Sequence, residues 1–276
     1  PLFFLIFQAI TASTLMSVAL TVPFLFQNAL IVHFRSAMLD SALTFFLLVA
    51  VLAVLKIFRS TRQKVSKKWL LIFGTSVGAI AATKVLGLIA LGLVVPVLIC
   101  VKELRLHWLR STVLVCATAF AVWLLVWQVH VGLGKRIEPA LHTEGFYLAT
   151  PATREHITKG ERFGPRVLYH HVRDALAFSG NYNKGVPRLD LCKADENGSP
   201  AWLWPIGGRS INYRWEKPGD GTTKYIYLQV NPEAWWLAFI AAVIALFRIF
   251  SAKYWSTSRN RIFVATLLVL YLGYFG

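Results

Sequence analysis

Asp40 is the carboxylate of this chain whose surroundings most strongly indicate chemistry. It lies in the segment IVHFRSAMLDSALTFF, between two apolar stretches, with His33 and Arg35 close by. An ionised carboxylate is costly in a low-dielectric medium unless a cation or hydrogen bonds compensate it. We therefore predict that Asp40 acts in a functional site, and we place His33 and Arg35 there as well. A simpler interpretation also fits, because D-S-A-L is typical of a helix N-cap; the two roles are compatible.

Two further cations stand out by their context. Lys84 is the only charged residue in the apolar stretch 69–101, and Arg209 follows a glycine pair in WLWPIGGR. A glycine pair followed by arginine can form a tight turn that presents backbone N–H groups and a cation together. Arginine binds phosphate in a bidentate way, whereas lysine acts as a point charge. These residues predict a site for an anionic group; a purely structural, snorkelling Lys84 is the alternative.

Metal chemistry has little support in the sequence. His170 and His171 are adjacent, so on a helix they point to different faces, and no third ligand has suitable spacing. The three cysteines, Cys100, Cys116 and Cys192, form no CxxC pair. We predict no metal site.

The composition indicates an integral membrane protein. The 276 residues are 56% hydrophobic, with a mean hydropathy of +0.56. The net charge of +16 does not indicate nucleic-acid binding, because many lysines and arginines cluster at the ends of apolar runs, as the positive-inside rule requires. We predict an all-α polytopic membrane protein with a mixed, irregular extracytoplasmic loop of about 100 residues.

Hydropathy and basic clusters together predict the path of the chain through the bilayer. We expect a first span over residues 2–22 that ends at Pro23, and a second over 41–58. The stretch 69–101 is long for one helix and short for two, so we predict two short or re-entrant helices that meet near Lys84. Further spans are predicted at 112–131 and 234–250, followed by a final apolar run that stops short of a full crossing.

This path divides the chain into three regions. Residues 1–131 form a transmembrane module with the polar segment 33–40 on its outer face, residues 132–233 form the extracytoplasmic region, and residues 234–276 return to the membrane. Around 164–178 the outer region contains a plausible amphipathic helix. That helix could lie on the membrane surface or pack as an ordinary surface helix.

Three segments resemble the protein O-mannosyltransferase family, whose members are glycosyltransferases of the GT-C type. They are LIVHFRSAMLDSALTFFLL, WLIFGTSVGAIAATKVLGLIALGL, and WPIGGRSINYRWE followed by YIYLQVNPEAWW. The motifs occur in the family's order, and Lys84 stands at the family's lysine, although Val85 replaces the usual tryptophan. The outer loop lacks the sugar-binding-type repeat domain of eukaryotic members, so the chain resembles a bacterial one, in the plasma membrane.

The resemblance also implies a missing part. The family's Asp-Glu pair in the first extracytoplasmic loop, which supplies the catalytic carboxylate, would precede residue 1. We therefore expect the chain to be a fragment of a longer polypeptide. Such a fragment can be inactive on its own.

The function that the resemblance implies is an inverting transfer of a sugar, most commonly mannose, from a polyprenyl-phosphate donor. The acceptor is a Ser or Thr hydroxyl of a secreted protein, on the extracytoplasmic side. We expect His33, Arg35, Lys84 and Arg209 to bind the donor, Asp40 to be the catalytic candidate, and Trp204, Tyr213 and Trp215 to serve the acceptor or loop site. No cofactor beyond the lipid-linked sugar is implied, and a divalent ion remains an open question.

Two other classes fit less well. A related lipid-carrier transferase could modify a lipid or glycan instead of a protein, as in aminoarabinose transfer. A transporter or flippase would also place charges within the membrane, but it predicts internally repeated spans, and the sequence shows none.

Overall fold

The computed structural model describes residues 1–27, 30–31, 39–59, 66–84, 92–93, 101, 107–133, 149–185, 200, 203, 211–216, 219, 221–222, 224–228, 232–251 and 258–275. In chain order the elements are α1 (Leu2–Thr11), α2 (Thr14–Leu25), α3 (Leu39–Arg59), α4 (Lys67–Thr83), α5 (Trp108–Leu133), α6 (Pro151–Thr158), α7 (Pro165–Gly185), β1 (Ile211–Glu216), β2 (Lys224–Leu228), α8 (Pro232–Ile249) and α9 (Ser258–Phe275). Helices dominate, which confirms the all-α prediction, and β1 and β2 form one antiparallel pair within the predicted outer region.

The chain forms two compact units. The main unit comprises Pro1–Ala119 and Leu189–Gly276, and the second unit comprises Phe120–Arg188. The three regions predicted from the sequence are defined by where the chain crosses the membrane, whereas the two compact units are defined by how the chain packs. The division into three regions therefore stays a prediction.

Two of the described helices are long and apolar enough to cross a membrane. They are α3, with 21 residues, and α5, with 26 residues, among the part of the chain that the structure describes. At 1.5 Å per residue these lengths correspond to roughly 31 and 39 Å, against about 30 Å of bilayer hydrocarbon. The predicted spans 41–58 and 112–131 lie inside these two helices.

The single span predicted over residues 2–22 is wrong. The chain reverses at Ala12, whose φ of 56° is left-handed, and Phe24 of α2 stacks on Phe3 of α1 with ring centroids 4.3 Å apart. Hydroxyl groups stop the first helix, because the backbone N–H of Ser13 bonds to Thr11 Oγ1 instead of continuing the helical pattern. Pro23 does not end α2 either, since that helix continues to Leu25.

The α1 helix packs along the second half of α3. Ile6 and Ala9 are buried against Leu52 and Leu55. At the end of both helices, Arg59 Nη2 donates to the carbonyl oxygen of Ile10 at 3.0 Å, which satisfies one of the free carbonyls at the α1 C-terminus. The two helices therefore run in the same direction.

The core of the main unit lies between α3 and α4. Ala50, Ala53, Val54 and Ile57 of α3 are almost completely buried. They pack against a row of α4 residues, which comprises Leu70, Phe73, Val77 and Ile80. Alanine at two of the contact positions lets the helix axes approach closely, as is typical of membrane helix pairs.

Close approach is even more marked between α4 and α5. A Cβ on Gly74 would lie 2.8 Å from the carbonyl oxygen of Val115, and one on Gly78 would collide with the backbone of Ala119. Both glycines belong to the sequence GTSVG, a G-x-x-x-G pattern that allows backbones to touch. Since Gly74 meets Val115 and Gly78 meets Ala119, α4 and α5 run in the same direction.

Candidate functional site

Asp40 and Lys84 form an ion pair. Lys84 Nζ donates to Asp40 Oδ1 at 2.5 Å. Asp40 lies in the first turn of α3, and Lys84 is the C-cap of α4, where its backbone N–H still bonds to the carbonyl oxygen of Ile80. The α3–α4 packing thus brings together two residues that lie 44 positions apart in the sequence.

Both charges stand where a helix dipole favours them. The N-terminus of a helix carries a partial positive charge that attracts Asp40, and the C-terminus carries a partial negative charge that attracts Lys84. Each side chain is 38% exposed, so the ion pair is not buried in the core. An ammonium held in place at an accessible helix end can bind a phosphate oxygen without first reorganising.

The structure gives Asp40 a partner that the sequence did not predict. Asp40 lies in the first turn of α3, and its carboxylate accepts a hydrogen bond from Lys84. The pairing was missed because it depends on the register between two helices.

Only two of the other predicted site residues, Tyr213 and Trp215, belong to the part of the chain that the structure describes. His33, Arg35, Trp204 and Arg209 lie outside the described residues. Tyr213 and Trp215 both lie in β1, and Trp215 pairs with Tyr225 of β2. The register shifts between Asn212 and Arg214, which makes Tyr213 the extra residue of a β-bulge. The predicted site as a whole therefore stays a prediction.

The second unit contains a polar network that the sequence did not reveal. Asp174 of α7 accepts hydrogen bonds from the backbone N–H and the hydroxyl of Thr150, at 2.8 and 2.9 Å. Thr150 is the N-cap of α6, so Asp174 ties the start of α6 to α7. Burial alone would raise the pKa of Asp174, but the hydrogen bonds from Thr153 and Thr150, together with the Arg173 charge, lower it below its usual value.

Histidines gather in the same unit. The rings of His156 and His170 lie 5.3 Å apart, and His156 Nδ1 bonds to Glu161 Oε2 at 2.5 Å. Burial lowers the pKa of His171, and the nearby His156 lowers it further. Among the residues that the structure describes, no group of three or more His, Cys, Asp or Glu side chains has a geometry suited to a metal ion.

These features define a class of protein. It is α-helical, its described residues include two helices able to cross a membrane, and a charged pair lies where α3 begins and α4 ends. Residues 1–134 match the family model "Dolichyl-phosphate-mannose-protein mannosyltransferase". This match covers slightly less than half of the 276 residues, and it supports the family resemblance and a glycosyltransferase of the mannosyltransferase type. No curated protein and no solved structure matches the chain. The family match includes both Asp40 and Lys84.

Proposed function

We propose that this protein transfers mannose from a polyprenyl-phosphate donor to Ser or Thr hydroxyls of secreted proteins on the extracytoplasmic side of the membrane. The observation that carries the proposal is the Asp40–Lys84 pair inside the range that matches the mannosyltransferase model. An ion pair with a purely structural role would only hold α3 against α4. Its partial exposure and its position in an otherwise apolar module favour a role in binding an anion.

In this proposal Lys84 binds the phosphate of the lipid-linked sugar. The acceptor hydroxyl oxygen forms a bond to the anomeric carbon as the bond from that carbon to the phosphate oxygen breaks, which inverts the configuration. Negative charge develops on the leaving phosphate, and a fixed ammonium stabilises charge that appears only in the transition state. Asp40 holds that ammonium in position through the bond at Oδ1.

The hydroxyl proton passes to a carboxylate base. The family resemblance implies a catalytic carboxylate in the first extracytoplasmic loop, and we propose Asp40 as the candidate within this chain. Arg35 and Arg209 are proposed as further cations at the phosphate and His33 as a sugar contact. Trp204, Tyr213 and Trp215 are proposed to contact the acceptor.

A transfer assay tests this function. Membranes that contain the chain, and membranes with the chain extended to include the preceding loop, are supplied with radiolabelled polyprenyl-phosphate mannose and a Ser/Thr-rich peptide. A lipid or glycan acceptor is offered in parallel. We expect label on the peptide from the extended form. If label appears only on the lipid or glycan, the acceptor is not a protein. If the extended protein is correctly inserted and transfers no label, polyprenyl-phosphate mannose is not its donor.

A further inference from the structure

The α7 helix of the second unit exposes two neighbouring rows of side chains. One row is basic and comprises Arg166, Arg173 and Lys184. The other is apolar: Tyr169 is 61% and Leu176 is 54% exposed. Arg173 follows Arg166 by seven residues, Lys184 follows Arg173 by eleven, and Leu176 follows Tyr169 by seven, so each row falls on one helical face. The Arg173 guanidinium lies 6.0 Å from the Tyr169 ring centre.

The opposite face of α7 is occupied within the second unit. Val167 is only 4% exposed, and Asp174 holds the N-cap residue Thr150. The basic and apolar rows are therefore the solvent-exposed side of a helix of 21 residues, and Arg173 at its border also donates to Thr150 Oγ1 at 2.9 Å. A helix with adjacent cationic and apolar rows is typical of a helix that lies in the headgroup region of a bilayer.

The start of α7 is fixed to the end of α5. Gln128 Nε2 of α5 donates to the carbonyl oxygen of Arg162 at 3.0 Å. The ring of Phe163 lies so close to Gly132 that a Cβ there would be 2.9 Å from it. Phe163 is otherwise 73% exposed, so an apolar ring projects beside the last turn of α5.

The position of α5 sets the depth of this junction. Between Arg110 and His130 the helix carries no charged side chain, and that distance is about the thickness of the bilayer hydrocarbon. If α5 crosses the membrane, its last turn, which includes Gly132, lies at the level of the headgroups. Phe163 and the first turn of α7 then lie at the same level.

We propose that the exposed face of α7 binds the anionic lipid surface of the membrane that α5 crosses. Arg166, Arg173 and Lys184 contact lipid phosphates, and Tyr169 and Leu176 enter the interface. This inference goes beyond the proposed transfer reaction and does not depend on it. A protein partner on the same face is the alternative that the experiment below excludes or establishes.

Spin labels on the full chain test the proposal. Cys100, Cys116 and Cys192 are replaced by serine or alanine, and a label is attached at Leu176→Cys. The protein is reconstituted in vesicles of phosphatidylcholine alone or mixed with phosphatidylglycerol. Collision rates with oxygen, which concentrates in the bilayer, and with a water-soluble nickel complex then report the depth of the label.

We expect the label to favour oxygen in the vesicles with phosphatidylglycerol. In Arg166→Glu and Lys184→Glu variants the ratio of bound to released α7 should fall at least about fivefold each, because one basic residue contributes that factor near an anionic surface and the new carboxylate is repelled as well. The matched control is Lys159→Glu, which reverses an exposed cation on the loop after α6 and should leave the ratio unchanged.

Three results would overturn the proposal. In the first, the label collides more often with the nickel complex than with oxygen in anionic vesicles. In the second, the charge reversals leave the collision rates unchanged although the variants keep the melting temperature of the parent. A label shielded from both reagents would show instead that protein covers this face.

Discussion

Lys84 Nζ lies 2.5 Å from Asp40 Oδ1, which links the C-cap of α4 to the first turn of α3. Each of these residues is an isolated charge between apolar stretches in the sequence, and each is a separate candidate there. The fold makes them one site, because α4 packs against α3 so that its end lies beside the start of α3.

Replacing Lys84 by methionine should weaken donor binding. A charge-assisted hydrogen bond contributes about 1.5–3 kcal/mol, so the KM for polyprenyl-phosphate mannose should rise roughly 10- to 150-fold, while Lys84→Arg should retain part of the affinity. The measurement is initial-rate kinetics in proteoliposomes. Lys67→Met, at the other end of α4, is the matched control. Loss of the transition-state interaction should also lower kcat, so a Lys84→Met variant with both KM and kcat unchanged would leave the lysine a structural role only.

Asp40 and Lys84 should face the outside of the cell. We expect a cysteine at Thr83, next to Lys84, to react with a membrane-impermeant maleimide added to intact cells. A cysteine at Ser66, the N-cap of α4, should react only after the cells are opened. Labelling is read by a mass shift on a gel. The reverse pattern would place the charged pair on the cytoplasmic side and would contradict the proposed acceptor.

Substituting Gly78 should separate α4 from α5. A Cβ at Gly78 collides with the backbone of Ala119, which cannot move aside as a flexible side chain could. We expect Gly78→Leu to lower the melting temperature in detergent by at least as much as a typical overpacked core substitution, about 1–3 kcal/mol in free energy of unfolding. Gly180→Ala on α7, where a Cβ meets nothing within 4 Å, is the control and should be neutral or stabilising.

Removing the Asp174 carboxylate should loosen the start of α6. In Asp174→Asn the amide of Thr150 should exchange its hydrogen faster, which hydrogen-exchange mass spectrometry can measure. Because the pKa of Asp174 is lowered from its ordinary 3.8, its stabilising contribution is complete above pH 3.8 and is lost as the pH falls through the folded-state pKa. The variant should therefore lose less stability than the parent protein over that acidic range; equal losses would argue against this anchoring role.

His171 should make the protein less stable in mild acid. Its pKa is lowered from 6.5 by burial and by His156, with smaller effects of His130 and His170 against the opposing Asp174 charge. The unfolded chain thus binds a proton at His171 more readily, so stability is greatest above pH 6.5 and decreases as the pH falls below it. His171→Gln should show a smaller decrease in melting temperature between pH 7 and 5.5. A difference of zero between the two proteins would contradict the burial of this ring.

Elements with a strong local pattern could be predicted from the sequence. Hydropathy and periodicity predicted the helices α3, α5 and α7 and the end of α4 at Lys84. Both patterns depend only on residues that are close in the sequence. The break at Ala12–Ser13 was missed because hydropathy does not register hydroxyl hydrogen bonds, which replaced the helical ones there.

The sequence by itself determined that this is an apolar helical chain with a few isolated charges, and its motifs pointed to the mannosyltransferase family that residues 1–134 match. The tertiary structure alone decided which charges meet. Lys84 pairs with Asp40, and Asp174 holds Thr150, because helix register and direction bring their atoms within hydrogen-bonding distance. Such contacts depend on packing between segments that are distant in the sequence, such as the close approach at Gly74 and Gly78. Patterns of neighbouring residues do not predict that packing.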